Sequence, residues 1–352
     1  MKIKPFFNVM VEKKASDLFF APFAPVKIKI DGRIIPLNKV KLTPEMIDEA
    51  ISELLDEDQL KNLKNELEMD FTISQSGLGR FRVNAFYQRG NISMVLRYIT
   101  AELPSLEELN MPEQLKQLVM LRRGLVLVVG AAGSGKSTTL AAMINYRNEN
   151  VSSHIITVED PIEFLHPNKQ SIVNQREVGL DTKSYDRALK SAVRAAPDVL
   201  LIGEIRDRES MQSAIDMAGT GHLVLGTLHS SNTTEALDRI INMFPVEKQS
   251  QIFMDLGHYL RAVIAQRLVR GCNDKQVAAV ELLIKTPHIK DLILGGDING
   301  VREVLKNSKD SEMQNFDDAL INLYTNGIID RDQAMSHADS ITELEAKINF
   351  GG

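Results

Sequence analysis

The stretch Gly130-Ala131-Ala132-Gly133-Ser134-Gly135-Lys136-Ser137 restricts what this chain can fold into more than any other segment. It reads G-x-x-x-x-G-K-S and stands between an apolar run, Leu125–Val129, and a helical stretch, Thr138–Ile144. That context predicts a buried strand, a glycine-rich turn and a helix N-terminus in immediate succession. Glycines let consecutive backbone N–H groups turn inward toward phosphate oxygens, and the helix end adds partial positive charge. Lys136 is then expected on the β/γ-phosphates and the Ser137 hydroxyl on Mg²⁺. Gly130, Gly133, Ser134, Gly135, Lys136, Ser137 and Thr138 form the expected nucleotide-binding set, with ATP and Mg²⁺ as cofactors.

A strand of this kind belongs to a parallel sheet, and the sequence supplies its neighbours. Ile155–Val158, Val199–Ile202 and Leu223–Thr227 are further apolar runs separated by helical stretches, the pattern of crossover connections. Each run carries chemistry at its end. Val199–Ile202 leads into Gly203-Glu204, and a carboxylate at the C-terminal end of such a strand emerges in the crevice where open α/β sheets bind ligands. Glu204 is therefore expected to hold the magnesium shell. Ile155–Val158 leads into Glu159-Asp160-Pro161-Ile162-Glu163, three carboxylates where hydrolysis needs a base or a water-orienting group. Glu163 is the expected base, with Glu159 and Asp160 around the metal, although spacing does not rank the three. His222 and His229 bracket Leu223–Thr227, and either is a candidate for bonding the γ-phosphate or the acids.

The first hundred residues have a different texture. Val26–Ile30 alternates, Asp31-Gly32 is a hairpin turn signal, and Thr43-Pro44 opens a helix whose apolar face runs from Met46 to Leu55. Strand-like segments follow at 70–74, 80–87 and 93–99, giving a small α+β unit over 1–100. Residues 101–114, with two prolines and no sustained period, read as a linker. The α/β core then spans 115–285, and 286–352 is helical, with a turn at Thr325-Asn326-Gly327.

Composition narrows the function classes. With 41 Lys+Arg against 47 Asp+Glu the net charge is −6, so the basic footprint of a nucleic-acid binder is missing and direct nucleic-acid binding is not expected. The single cysteine excludes a multi-cysteine zinc site and suits a reducing compartment. Met1–Lys4 leads into a mixed segment unlike a secretory signal, and the apolar runs fall short of the roughly 20 residues of a membrane span.

Four blocks in order, GAAGSGKST (130–138), ITVEDPIEF (156–164), LLIGEIRD (200–207) and TGHLVLGTLHS (220–230), resemble the Walker A, Asp box, Walker B and His box of the secretion ATPase superfamily. More narrowly, the chain resembles the type IV pilus retraction ATPases of the PilT/PilU group, along nearly its whole length. The blocks include ASDLFF (15–20), GRFRVNAF (79–86), VNQREVG (173–179) and RAVIAQRL (261–268). The wording around 173–179 and 237–268 is nearer the PilU-type accessory branch. The resemblance implies a RecA-like P-loop ATPase core, an N-terminal α+β PAS-like domain and a hexameric ring. The ring would be cytoplasmic and peripheral at the inner-membrane pilus base, with a PilT-type paralogue and an inner-membrane platform protein as partners. It makes Glu163 the water activator, Glu204 the Walker B acid, and His222 and His229 the His-box pair. Arg80, Arg82 and Arg97 match N-terminal positions from which arginines reach phosphate at the subunit boundary. An arginine that completes a site on domain closure couples hydrolysis to motion.

Extension and type II secretion ATPases of this superfamily are longer and usually carry a tetracysteine zinc motif, which one cysteine forbids. The chain also departs from the group. Ala131-Ala132 replaces the commoner Pro-Thr, and Ala218-Gly219-Thr220 stands where Ala-Glu-Thr is frequent, so an acid ahead of the His box is missing. Three functions are compatible with these residues: an ATP-hydrolysing retraction motor, a nucleotide-gated module that reinforces a paralogous motor without its own hydrolysis, and, against the acidic charge, a DNA translocator.

Overall fold

An antiparallel β-sheet builds the N-terminal unit. The computed structural model describes residues 2–30, 32–75, 77–99, 103–307 and 312–350, in two units, Met1–Glu102 and Leu103–Gly352. In the first, α1 (Lys4–Glu12) precedes β1 (Asp17–Phe20), β2 (Pro25–Ile30) and β3 (Arg33–Lys41). Helices α2 (Pro44–Ser52) and α3 (Glu57–Glu66) follow, then β4 (Glu68–Gln75), β5 (Gly79–Gln88) and β6 (Asn91–Ile99). The strands pair antiparallel in the order β3-β2-β1-β6-β5-β4. Asp31 of the expected hairpin turn lies outside the described residues, while Gly32 takes φ +79°, as the turn requires. Thr43 caps α2 by accepting from the Met46 amide, with Pro44 in the first turn.

Phe81, Val83 and Ala85 of β5 point into a core shared with Phe7, Leu18 and Phe20. The ring of Phe81, fully buried, lies 4.4 Å from that of Phe7 and 5.3 Å from that of Tyr98, centroid to centroid. Phe81→Ala therefore destabilises this unit by about 3–5 kcal/mol. Its urea midpoint falls accordingly, while a control such as Lys61→Ala, on the exposed face of α3, leaves it in place.

The second unit begins with turns at 106–110, where Leu106 is already buried against Leu115 and Val126. Its first elements are α4 (Gln114–Val119), β7 (Gly124–Val129), α5 (Lys136–Asn150), β8 (His154–Glu159) and β9 (Ile172–Glu177). Next come α6 (Tyr185–Ala192), β10 (Val199–Ile202), α7 (Arg208–Gly219), β11 (Leu223–Leu228), α8 (Thr233–Asn242) and α9 (Val246–Tyr259). The sheet closes with β12 (Leu260–Arg270) and β13 (Gln276–Ile284). Five helices follow: α10 (Pro287–Leu294), α11 (Ile298–Lys306), α12 (Phe316–Thr325), α13 (Arg331–His337) and α14 (Ile341–Phe350).

The sheet order is β13-β12-β7-β11-β10-β8-β9, parallel except for β13. Strands β7, β10 and β11 are buried along their whole length, as strands covered by helices on both faces must be. The four expected strands are present. Three more, β9, β12 and β13, are additions that the apolar-run pattern does not mark. The helices after 285 pack on the same core through Ile289, Ile293, Val301, Phe316 and Leu320. The fold is a RecA-like P-loop ATPase core with an N-terminal α+β PAS-like domain.

Candidate nucleotide site

Because β7, β11, β10 and β8 run parallel, their C-terminal ends share one edge of the sheet, and the loops leaving them enclose a cleft of about 480 Å³. The turn after β7 is built for a close approach. A side chain at Gly130, which sits at φ +155°, would collide with Ser134 Oγ and come within 2.6 Å of the Gln266 carbonyl. At Gly135, with φ +86°, it would lie 2.8 Å from Gln266 Nε2. Gln266, on β12 and 2% exposed, is the floor beneath the turn and also accepts from Thr139 Oγ1 at 2.8 Å. Sequence reasoning missed it. A neutral amide beside Arg267, between the apolar runs 262–265 and 268–269, was the available signal.

Lys136 opens α5 and is 8% exposed, with Nζ donating to the carbonyls of Gly130 (3.0 Å) and Ala131 (2.8 Å). Burial pushes its pKa down, and the charges of Glu204 and Glu163 offset part of that. Ser137 and Thr138 line the cleft beside it. Ser134 Oγ is buried and has no hydrogen-bond partner, an orphan polar group at the mouth of the turn.

Glu204 sits just past β10, with both oxygens engaged. Oε1 is 2.9 Å from His229 Nε2, and Oε2 accepts from Arg206 Nε at 2.8 Å. Burial pushes this carboxyl up, but the Arg206 hydrogen bond and the charges of Arg206, His229 and Lys136 outweigh burial and hold it below the usual carboxylate range. Arg206 also reaches Asp160 Oδ2 at 3.5 Å and so ties the loop after β10 to the loop after β8. A charged residue two places beyond a strand-ending acid reads as solvated surface, which is why the sequence did not single it out.

The acids after β8 separate by environment. Glu159 accepts from Thr157 Oγ1 (2.6 Å), from Gln175 Nε2 (3.2 Å) and from the Glu163 amide, yet burial wins and raises its pKa. Asp160 is exposed and faces Arg206. Glu163 lines the cleft, and its carboxylate makes no side-chain hydrogen bond among the described residues. Tyr185, at the start of α6, lines the cleft near these acids; burial, then the Asp160 charge, raises its pKa. His166 also faces the cleft, with a pKa pushed down to about 4 by burial and by Lys169.

The two histidines part company. His229 follows β11 and joins Glu204 in the cleft. His222 precedes β11, and its Nδ1 lies 3.1 Å from the Met217 carbonyl. The expectation that either could reach the phosphates is thus corrected for His222. A six-residue strand is about 20 Å long, so the residues at its two ends serve opposite edges of the sheet.

Arg80, Arg82 and Arg97 lie together on one face of the N-terminal sheet. Arg82 and Arg97 are directly opposite in the β5–β6 register, and Arg80 is two residues before Arg82. Like charges so placed repel, and Arg82 and Arg97 each have an acid to offset this. Arg97 Nε donates to Asp17 Oδ1 at 2.9 Å, with Asp17 5% exposed, and Arg82 is 3.6 Å from Asp70.

The oxygen donors Ser137 and Glu204 are of the hard type Mg²⁺ takes, beside a lysine placed for phosphate. No cluster of three or more His, Cys, Asp or Glu residues able to hold a metal by themselves occurs among the described residues. Among the described residues no helix is long and apolar enough to cross a membrane.

Comparison with known proteins places this geometry. Residues 2–309 match the family described as Type II/IV secretion system protein. The chain is 47% identical over 352 residues to the type IV pilus ATPase PilU of Pseudomonas aeruginosa, covering 100% of this chain and 92% of that one. It is 39% identical over 338 residues to the retraction ATPase PilT of the same organism, covering 96% and 98%. The crystal structure of the pilus retraction motor PilT with bound ADP superposes with a TM-score of 0.92 at 40% identity, covering 98% of this chain and 99% of that one.

Proposed function

Because the chain belongs to the Type II/IV secretion system protein family, as a pilus ATPase of the PilT/PilU type, we propose that it works as a cytoplasmic hexameric ring at the inner-membrane pilus base, a PilU-type accessory to a PilT-type retraction motor. It is an ATP hydrolase, and its relatives make it a pilus retraction ATPase. The observation that carries the reading is the cleft that gathers Lys136, Ser137, Glu204, His229, Asp160 and Glu163 around one phosphate-sized turn.

In this reading the backbone of 130–135 and Lys136 hold the β- and γ-phosphates. Mg²⁺, held by Ser137 and by Glu204 with Asp160 and Glu159 nearby, would neutralise charge on the phosphate oxygens. Glu163 takes the proton of the attacking water as its oxygen bonds to the γ-phosphorus and the bond to the bridging oxygen breaks. Glu204 would help hold that ion, and its two oxygens are steadied by Arg206 and His229. Its state is thereby passed to Asp160 through Arg206 and to the loop after β11 through His229. Arg82 and Arg97, with Arg80, complete the charge neutralisation from a neighbouring subunit, so that cleavage and closure are one event.

The alternative, a docking module that reinforces a PilT-type motor without its own hydrolysis, rests on the higher identity to PilU than to PilT. Two measurements decide. Purified protein releases phosphate from ATP at steady state, and Glu204→Ala lowers the rate about 10²–10³-fold. In cells, pilus retraction against a load weakens on deletion of the chain and equally in Glu204→Ala. Retraction that survives Glu204→Ala but not deletion would favour docking.

A further inference from the structure

The opposite edge of the ATPase sheet gathers several cations. Arg123 directly precedes β7, Arg261 is the second residue of β12, Lys285 directly follows β13, and Lys290 lies on α10. The aliphatic stem of Arg261 packs on Gly124, its Nε donates to the Arg123 carbonyl at 3.3 Å, and its own carbonyl accepts from the Lys285 amide at 2.9 Å. Lys285 Nζ donates to the last carbonyls of α9, Gly257 at 3.0 Å and His258 at 2.7 Å. None of these four cations, nor Arg122 beside them, pairs with a carboxylate among the described residues. Elsewhere in this net-acidic chain lysines and arginines are repeatedly paired, as in Lys169–Glu149, Lys306–Glu343 and Arg331–Glu345. Burial, then the charges of Arg261 and Lys290, bring the Lys285 pKa down to about 8, which reports the same crowding.

We propose that this edge is a docking surface for a protein segment bearing aspartate or glutamate side chains. Three of the four cations are half-buried: Arg261, Lys285 and Lys290. A lipid headgroup plane is read by cations that project, whereas recessed ones are met by a carboxylate standing out from a partner chain. Met254, 49% exposed and one turn before His258 on α9, gives the partner an apolar foothold next to the charges. The surface lies about 20 Å from the cleft along the strands, so a partner held there grips the far ends of the strands that carry Lys136 and Glu204.

The test uses the full chain and a fluorescein-labelled glutamate-rich peptide, followed by anisotropy. The peptide binds, the affinity falls as salt is raised, and Lys290→Glu weakens it about tenfold or more. ATP hydrolysis is unchanged in that variant, and Lys61→Glu, on α3, leaves peptide binding as it was. Arg122→Glu, whose side chain is exposed, repeats the loss if Lys290→Glu proves poorly folded. Three results would overturn the proposal: no peptide binding, binding to phosphatidylserine-containing vesicles in place of the peptide, or a change in oligomer mass in Lys290→Glu that marks the edge as a contact between copies of this chain.

Discussion

Lys136→Ala lowers ATP turnover by about 10³-fold or more and leaves the fold intact. The ammonium is nearly enclosed, at 8% exposure, and its two acceptors are carbonyls of the turn it closes, Gly130 and Ala131. A triphosphate supplies acceptors of full negative charge in the same place, so the lysine gains most where charge on the transferring phosphoryl group is greatest. Alanine removes that gain and leaves the backbone donors, so weak nucleotide binding persists while catalysis does not. Lys136→Arg does not restore turnover, because a planar guanidinium needs room that the Gly130 and Ala131 carbonyls occupy. Phosphate release, read beside circular dichroism and a urea titration, checks this. Turnover within about tenfold of the parent, in a folded protein, would remove Lys136 from the mechanism.

How much of this was legible beforehand follows from what kind of signal each residue gives. The strands at 125–129, 155–158, 199–202 and 223–227 announce themselves because burial on both faces demands unbroken apolar runs. Strand β12 does not, since Arg261, Gln266 and Arg267 interrupt it and α9 passes into it without a turn residue. Strand β9, NQRE in its last four residues, is an edge strand with one open side and no need of apolar alternation. At the site, chain-local chemistry was readable: the glycine turn, Lys136, Ser137, and the acids that end strands. Relations across the sheet were not. The Arg206 tie between Glu204 and Asp160 and the Gln266 floor exist because loops adjacent in space are 46 and more than 100 residues apart in sequence. The histidines show the same limit, for spacing placed both beside β11 but only the direction of the strand decides which one meets Glu204.

Among the three acids that follow β8, Glu163→Gln gives the largest loss, about 10²–10⁴ in kcat, with nucleotide affinity retained. The environments make the distinction that spacing could not. Glu159 is committed to three donors, Thr157, Gln175 and the Glu163 amide, and burial raises its pKa, so it holds its proton to higher pH than an ordinary carboxyl. Asp160 faces the guanidinium of Arg206. The Glu163 carboxylate lines the cleft without such ties and is close enough for its charge to be felt at Lys136. A general base works deprotonated, so kcat falls as pH falls through the pKa of whichever acid serves. Were it Glu159, activity would be lost on acidification already above the usual glutamate range, and Glu159→Gln would abolish that limb. With Glu163 as base, Glu163→Gln flattens the acid limb, whereas Glu159→Gln and Asp160→Asn cost about tenfold and preserve it, because an amide can still accept from Thr157 at position 159 and from Arg206 at position 160. Single-turnover rates across the acid range, with nucleotide binding measured separately, distinguish the two. A greater loss in Glu159→Gln than in Glu163→Gln would move the base one turn of loop closer to the strand.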